Sequence, residues 1–204
     1  GKLYHQLSQW SQALECYKKA LAVFQAIDDL SGVGYTCHQI GTLMLHQHRY
    51  DLARRWAALA VQSFSQLGHG VKDNPIVRCH YGAALHLLGQ TSYYQGQFSL
   101  ALKQLEQALT LRHQLRDDVG EALVLVDMGR AYRAQQQYWY ALACYESALD
   151  IAQLREATFE GTWFEAEVRH AIAQLCRACG HLDLALKHEL EALALGHQGS
   201  IRVN

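Results

Sequence analysis

Met128-Gly129-Arg130-Ala131-Tyr132, followed by Tyr138, Ala141, Tyr145, Ala148 and Leu149, is the stretch on which the reading of this chain turns. The same comb of spacings starts from Gly89, with Phe98, Ala101, Leu105, Ala108 and Leu109. It starts again from Gly41, with Tyr50, Ala53, Ala57, Ala60 and Val61, and from Gly1, with Trp10, Ala13, Tyr17, Ala20 and Leu21. A weaker copy begins at Ala173, with Leu182, Ala185, Glu189, Ala192 and Leu193. The physical content of the comb is close packing. Small teeth let antiparallel helices approach, long and aromatic teeth fill the space between hairpins, and added methylenes at a small tooth would cost about 1–3 kcal/mol.

Five combs in one chain mark a repeat architecture. These residues resemble the tetratricopeptide repeat family, whose signature sets Leu-Gly-x-x-Tyr on a first helix and an aromatic, Ala, aromatic and Ala on a second. The resemblance covers essentially the whole chain. It implies an all-α fold, an α-α superhelix of about five helical hairpins. The first teeth stand at 1, 41, 89, 129 and 173, so the steps are 40, 48, 40 and 44 residues, longer than the usual ~34. With the openings Asp28-Asp29-Leu30-Ser31-Gly32 and Asp117-Asp118-Val119-Gly120-Glu121, these steps resemble the long-repeat subclass of kinesin light chains and bacterial peptide-sensing regulators.

The spacing predicts a single repeat domain over 1–204, with repeats at 1–29, 30–70, 71–117, 118–157 and 158–197. Helices are expected at 9–27, 31–47, 50–67, 75–95, 97–115, 119–135, 138–155, 159–179 and 181–195. The longest step holds the one real loop, Gly68-His69-Gly70-Val71-Lys72-Asp73-Asn74-Pro75. Pro75 suits a first helical turn and Gly196 a helix C-terminal cap. Gly1 occupies a mid-helix tooth, so a chain cut at its N-terminus is expected. Glu189, at the tooth that faces a following repeat, reads as the polar outer face of a terminal repeat.

Composition agrees. Half of the residues are hydrophobic and there is a single proline. Eighteen basic residues against nineteen acidic ones give a net charge of −1, without the basic surplus of nucleic-acid binders. No apolar run reaches the ~18 residues of a membrane span. Six dispersed cysteines (Cys16, Cys37, Cys79, Cys144, Cys176, Cys179) read as reduced packing thiols, and a cytoplasmic location is expected.

Motifs for chemistry fail on inspection. Gly32-Val33-Gly34 has Cys37 where a dinucleotide loop needs its third glycine, and His188-Glu189 lacks the second histidine of a zinc-protease helix because Ala192 stands there. Cys176-Arg177-Ala178-Cys179 gives two thiols where zinc needs four ligands; a metal or thiol site there is a remote alternative. No catalytic residue, cofactor or metal is expected, and the chain does not read as an enzyme.

The resemblance places one face of each first helix in a concave groove. His38, His86 and His170 share a column three residues before the tooth. With Thr42, Gln90, Tyr93, Tyr94, Asp127, Arg130, Arg133, Gln174 and Arg177 they form the candidate binding surface, flanked by His5, Gln6 and Tyr35. It reads as aromatic and hydrogen-bonding in the middle and basic towards the C-terminal repeats. Tyr and Arg are enriched at binding hot spots. The function expected is a protein–protein interaction module or scaffold that holds a peptide or protein segment, with an acidic group as its preferred feature. The alternative is a peptide-sensing regulatory domain of a larger signalling protein.

Overall fold

The computed structural model describes residues 9–68, 74–154 and 159–201. Gly1, His5, Gln6 and loop residues 69–73 lie outside them. Nine α-helices occupy the described residues: α1 (Trp10–Ala26), α2 (Leu30–His46), α3 (Tyr50–Gln66), α4 (Pro75–Tyr94), α5 (Phe98–Gln114), α6 (Asp118–Ala134), α7 (Tyr138–Gln153), α8 (Phe159–Ala178) and α9 (Leu182–Ile201). Antiparallel hairpins pair α2 with α3, α4 with α5, α6 with α7 and α8 with α9. The chain divides into two compact units, Gly1–Leu115 with α1 to α5 and Arg116–Asn204 with α6 to α9.

Local sequence explains where helices start. Asp29 and Asp117 each accept a hydrogen bond from the backbone N–H three residues on, at Gly32 and Gly120, both 3.0 Å. Each thereby satisfies an otherwise orphaned donor. Asn74 caps α4 through Ile76 N (2.9 Å), with Pro75 in the first turn as expected.

Helix ends follow a second repeating device. Seven residues after the tooth, His48, Gly96, Gln136 and Gly180 all have positive φ (56°, 75°, 61° and 81°). The next N–H then reaches back five residues, as Gln97 N does to Ser92 O and Gln137 N to Tyr132 O, both 2.9 Å. This is a Schellman closure, whose left-handed residue turns the chain into the second helix. Gly196 does not act this way. α9 runs through it to Ile201, correcting the expected cap. One glycine weakens a helix by roughly 1 kcal/mol without ending it.

The core is built from the comb. Ala13, Ala53, Ala57, Ala60, Ala101, Ala108, Ala141 and Ala148 expose no surface. A Cβ on Gly41 would stand 2.8 Å from Leu87 Cδ2 and 3.3 Å from the Ala53 carbonyl. One on Gly129 would stand 2.5 Å from Tyr145 Cε1. Glycine is thus what lets α2 and α6 lie against their partners, while α8 makes the same approach with Ala173, which exposes no surface. Sixteen residues after the tooth, Tyr17, Ala57, Leu105 and Tyr145 are all buried. Glu189 holds that column in α9, where it is only half-buried.

Candidate functional site

In the second unit the candidate residues meet in two hydrogen-bonded groups. Arg130 on α6 donates to Asp127 Oδ1 and to Glu167 Oε1 on α8, both 2.8 Å. The second group is a directed chain. Arg133 Nη1 donates to Gln174 Oε1 (2.6 Å). A guanidinium only donates, so it fixes the amide orientation. Gln174 Nε2 therefore donates to His170 Nε2 (2.7 Å), and His170 Nδ1–H donates to Glu189 Oε2 (3.0 Å). Arg177 Nη2 closes the chain on Glu189 Oε1 (2.7 Å). Hydrogen bonding from His170, then from Arg177, holds the Glu189 carboxyl below its ordinary range.

These contacts link α6 to α8 and α8 to α9. Arg130 meets two carboxylates, Asp127 and Glu167, and Arg177 meets Glu189, while Arg133 meets only the neutral Gln174. The column reading found the three arginines but missed Glu167 and the in-chain role of Glu189. Glu167 stands six residues before its tooth, the column that holds Tyr35 in α2. Following that column to α8 would have revealed it.

In the first unit, His38, Thr42, His86 and Gln90 lie half-buried along α2 and α4. Thr42 Oγ1 donates back to the His38 carbonyl (3.0 Å), so its hydroxyl is used within the helix. Tyr93 and Tyr94 sit where α4 turns into α5. Tyr94 stacks flat on Tyr50 of α3 (4.8 Å between centroids, 2° between planes), while Tyr93 packs against Tyr94 and Phe98. His48 extends the row, with Nδ1 3.0 Å from the Tyr50 hydroxyl. Aromatic pairs of this geometry add about 0.5–1.5 kcal/mol to area burial. The tyrosines thus join the turn edge of the unit.

Neither a metal cluster nor a disulfide is present among the described residues. In the Cys176/Cys179 pair, burial first and the neighbouring Cys179 second raise the Cys176 thiol. Redox CxxC pairs work by the opposite shift. No helix of the described residues is long and apolar enough to cross a membrane.

Residues 80–154 match the tetratricopeptide repeat family. The chain is 26% identical over 153 residues to the 43 kDa receptor-associated protein of the synapse from Tetronarce californica, covering 74% of this chain and 35% of that protein. It therefore spans about a third of the length of that relative. Among solved structures it is similar to the nearly identical repeats of a putative kinesin light chain from Podosopora anserina (16% identity, 97% of this chain and 92% of that one, TM-score 0.71). It is also similar to BtubC (BKLC) from P. vanneervenii (16%, 97% and 75%, TM-score 0.70). At these identities the likeness is one of fold.

Proposed function

We propose that this chain of tetratricopeptide repeats is a protein-interaction scaffold that holds a segment of a partner protein along its first helices. Repeats of this kind are a protein-binding architecture, and the curated relative is receptor-associated by name. The observation that carries the reading is the directed chain Arg133–Gln174–His170–Glu189–Arg177. It keeps donors and acceptors in fixed positions on partly exposed helix faces. Fixed groups lose little freedom on binding, which is how preorganisation raises affinity. The partner surface it fits is polar and hydrogen-bonding. An acidic segment would meet Arg133, whose partner is the neutral Gln174, but at Arg130 and Arg177 it would compete with Asp127, Glu167 and Glu189.

Photo-crosslinking tests this. A crosslinker at Gln90 or Gln174, on first helices, is expected to capture one partner segment. The same group at the second-helix positions Lys103 or Ser147 is expected to capture none of it. Equal capture from both sets would end the proposal. The regulatory alternative shares the fold and is separated by shape. A regulator would change the distances between spin labels placed on this chain when the segment binds, and a scaffold would keep them.

A further inference from the structure

A cleft of about 440 Å³ opens in the first unit, lined by Asp51, Arg54, Arg55 and Ala58 of α3, Leu88 and Gln95 from α4 and its end, and Gln104 of α5. Its size suits a small ligand group or a side chain. It lies in the furrow between two second helices, on other residues than the proposed first-helix surface, so either proposal can fail without the other.

Two departures from the repeat comb make this cleft. Thirteen residues after the tooth, the other four copies carry leucine: Leu14, Leu102, Leu142 and Leu186. The copy in α3 carries Arg54. Seventeen residues after the tooth, the others carry long side chains: Lys18, Glu106, Glu146 and Leu190. The copy in α3 carries Ala58, which leaves the space empty.

The charge in the cleft is unspent. Arg54 Nη1 donates to Gln95 Oε1 (3.2 Å), and Gln95 Nε2 donates to Asp51 Oδ1 (2.7 Å). Since arginine cannot accept and a carboxylate cannot donate, the amide has one orientation. It holds Arg54 in place without neutralising it. Arg55 has no polar partner among the described residues, in contrast to Arg130, Arg169 and Arg177, each paired with a carboxylate of the chain. Two guanidiniums against one carboxylate leave an excess positive charge beside an apolar wall at Leu88.

We propose that this cleft binds a carboxylate of a partner polypeptide, with Arg54 and Arg55 as its two donors and Leu88 against the adjoining aliphatic carbons. A planar guanidinium fork matches a carboxylate in two hydrogen bonds.

The arginine Nε–Hε resonances of the full chain report the site. Three probes separate the sources of the carboxylate. They are acetyl-Gly-Glu-Glu-Gly-amide for side chains, acetyl-Gly-Leu-Leu with a free C-terminus for a chain end, and acetyl-Gly-Gln-Gln-Gly-amide as the neutral control. One or both acidic probes are expected to shift Arg54 and Arg55 saturably, and the control to leave them in place. R54L, which restores the leucine of the other repeats, is expected to weaken binding at least tenfold. A58E, which restores their long side chain, is expected to do the same with both arginines present. The proposal is overturned by the absence of saturable shifts, by equal shifts at the exposed Arg49 and Arg116, or by unchanged affinity in R54L and A58E.

Discussion

The left-handed residue that closes each first helix is glycine in two hairpins, Gly96 and Gly180, and a side-chain-bearing residue in two others, His48 and Gln136. A side chain in that conformation costs roughly 1–2 kcal/mol, partly offset by the extra freedom glycine gives the unfolded chain. Gln136→Gly should therefore stabilise by about 0.5–1 kcal/mol and raise the melting temperature by ~1–4 °C. Gly96→Ala should do the reverse. Nothing lies within 4 Å of the Cβ it would add, so its loss measures backbone strain alone. Matching signs for the two variants in thermal melts would contradict this account. The opposite kind of residue is Ala141, whose surface is fully buried. Ala141→Leu should destabilise by about 1–3 kcal/mol, several degrees in the same assay. An unchanged melting temperature would mean that the comb is set in the wrong register.

Between elements, the arginines of the second unit act as struts. Arg130→Glu would place a third carboxylate beside Asp127 and Glu167, so it should lower the melting temperature of the second unit by several degrees. Arg130→Gln, which can still donate to both, should lose less. Equal losses would show that repulsion plays no part. Glu189 gives a pH-dependent counterpart. Its pKa is depressed by His170 and then Arg177, so its contribution is present above the unfolded carboxylate pKa of about 4.3 and is lost as pH falls through the lower folded value. Wild type should melt above Glu189→Gln at pH 7, and the gap should close in acid, below the usual carboxylate range. A constant gap would assign Glu189 a packing role only. These struts also mark where reading by columns stops. Periodicity located every described helix to within about two residues except the end of α9, because small and large teeth are fixed by packing. It found Arg130, Arg133, His170, Gln174 and Arg177 as surface residues. It did not find that they bond to one another, because a pair such as Arg130 and Glu167 depends on how adjacent hairpins meet. The stack of Tyr94 on Tyr50 was illegible for the same reason, since it joins the end of α4 to the start of α3.

At the scale of the whole chain, stability in repeat proteins is a sum of local terms, so two compact units need not unfold together. Each unit carries its own reporter thiol. Burial pushes Cys37 in the first and Cys144 in the second up to about 11, against about 8.5 for a free cysteine. At pH 7.5 both native thiols are almost wholly protonated, Cys37 buried and Cys144 half-buried, and they become more reactive when their surroundings open. The second unit carries a particular cost. Glu165 is 2% exposed and its Oε2 has no hydrogen-bond partner, although Oε1 accepts from Arg169 Nε at 2.9 Å. A carboxylate held this way leaves part of its desolvation uncompensated. Pulsed alkylation along a urea gradient, read by mass spectrometry, should label Cys179 throughout because it is exposed when folded. Cys144 should become labelled at a lower urea concentration than Cys37, and Glu165→Gln, which leaves the buried Arg169 guanidinium facing a neutral amide there, should widen the interval. A single shared midpoint would show that the chain unfolds as one cooperative body despite its two compact units.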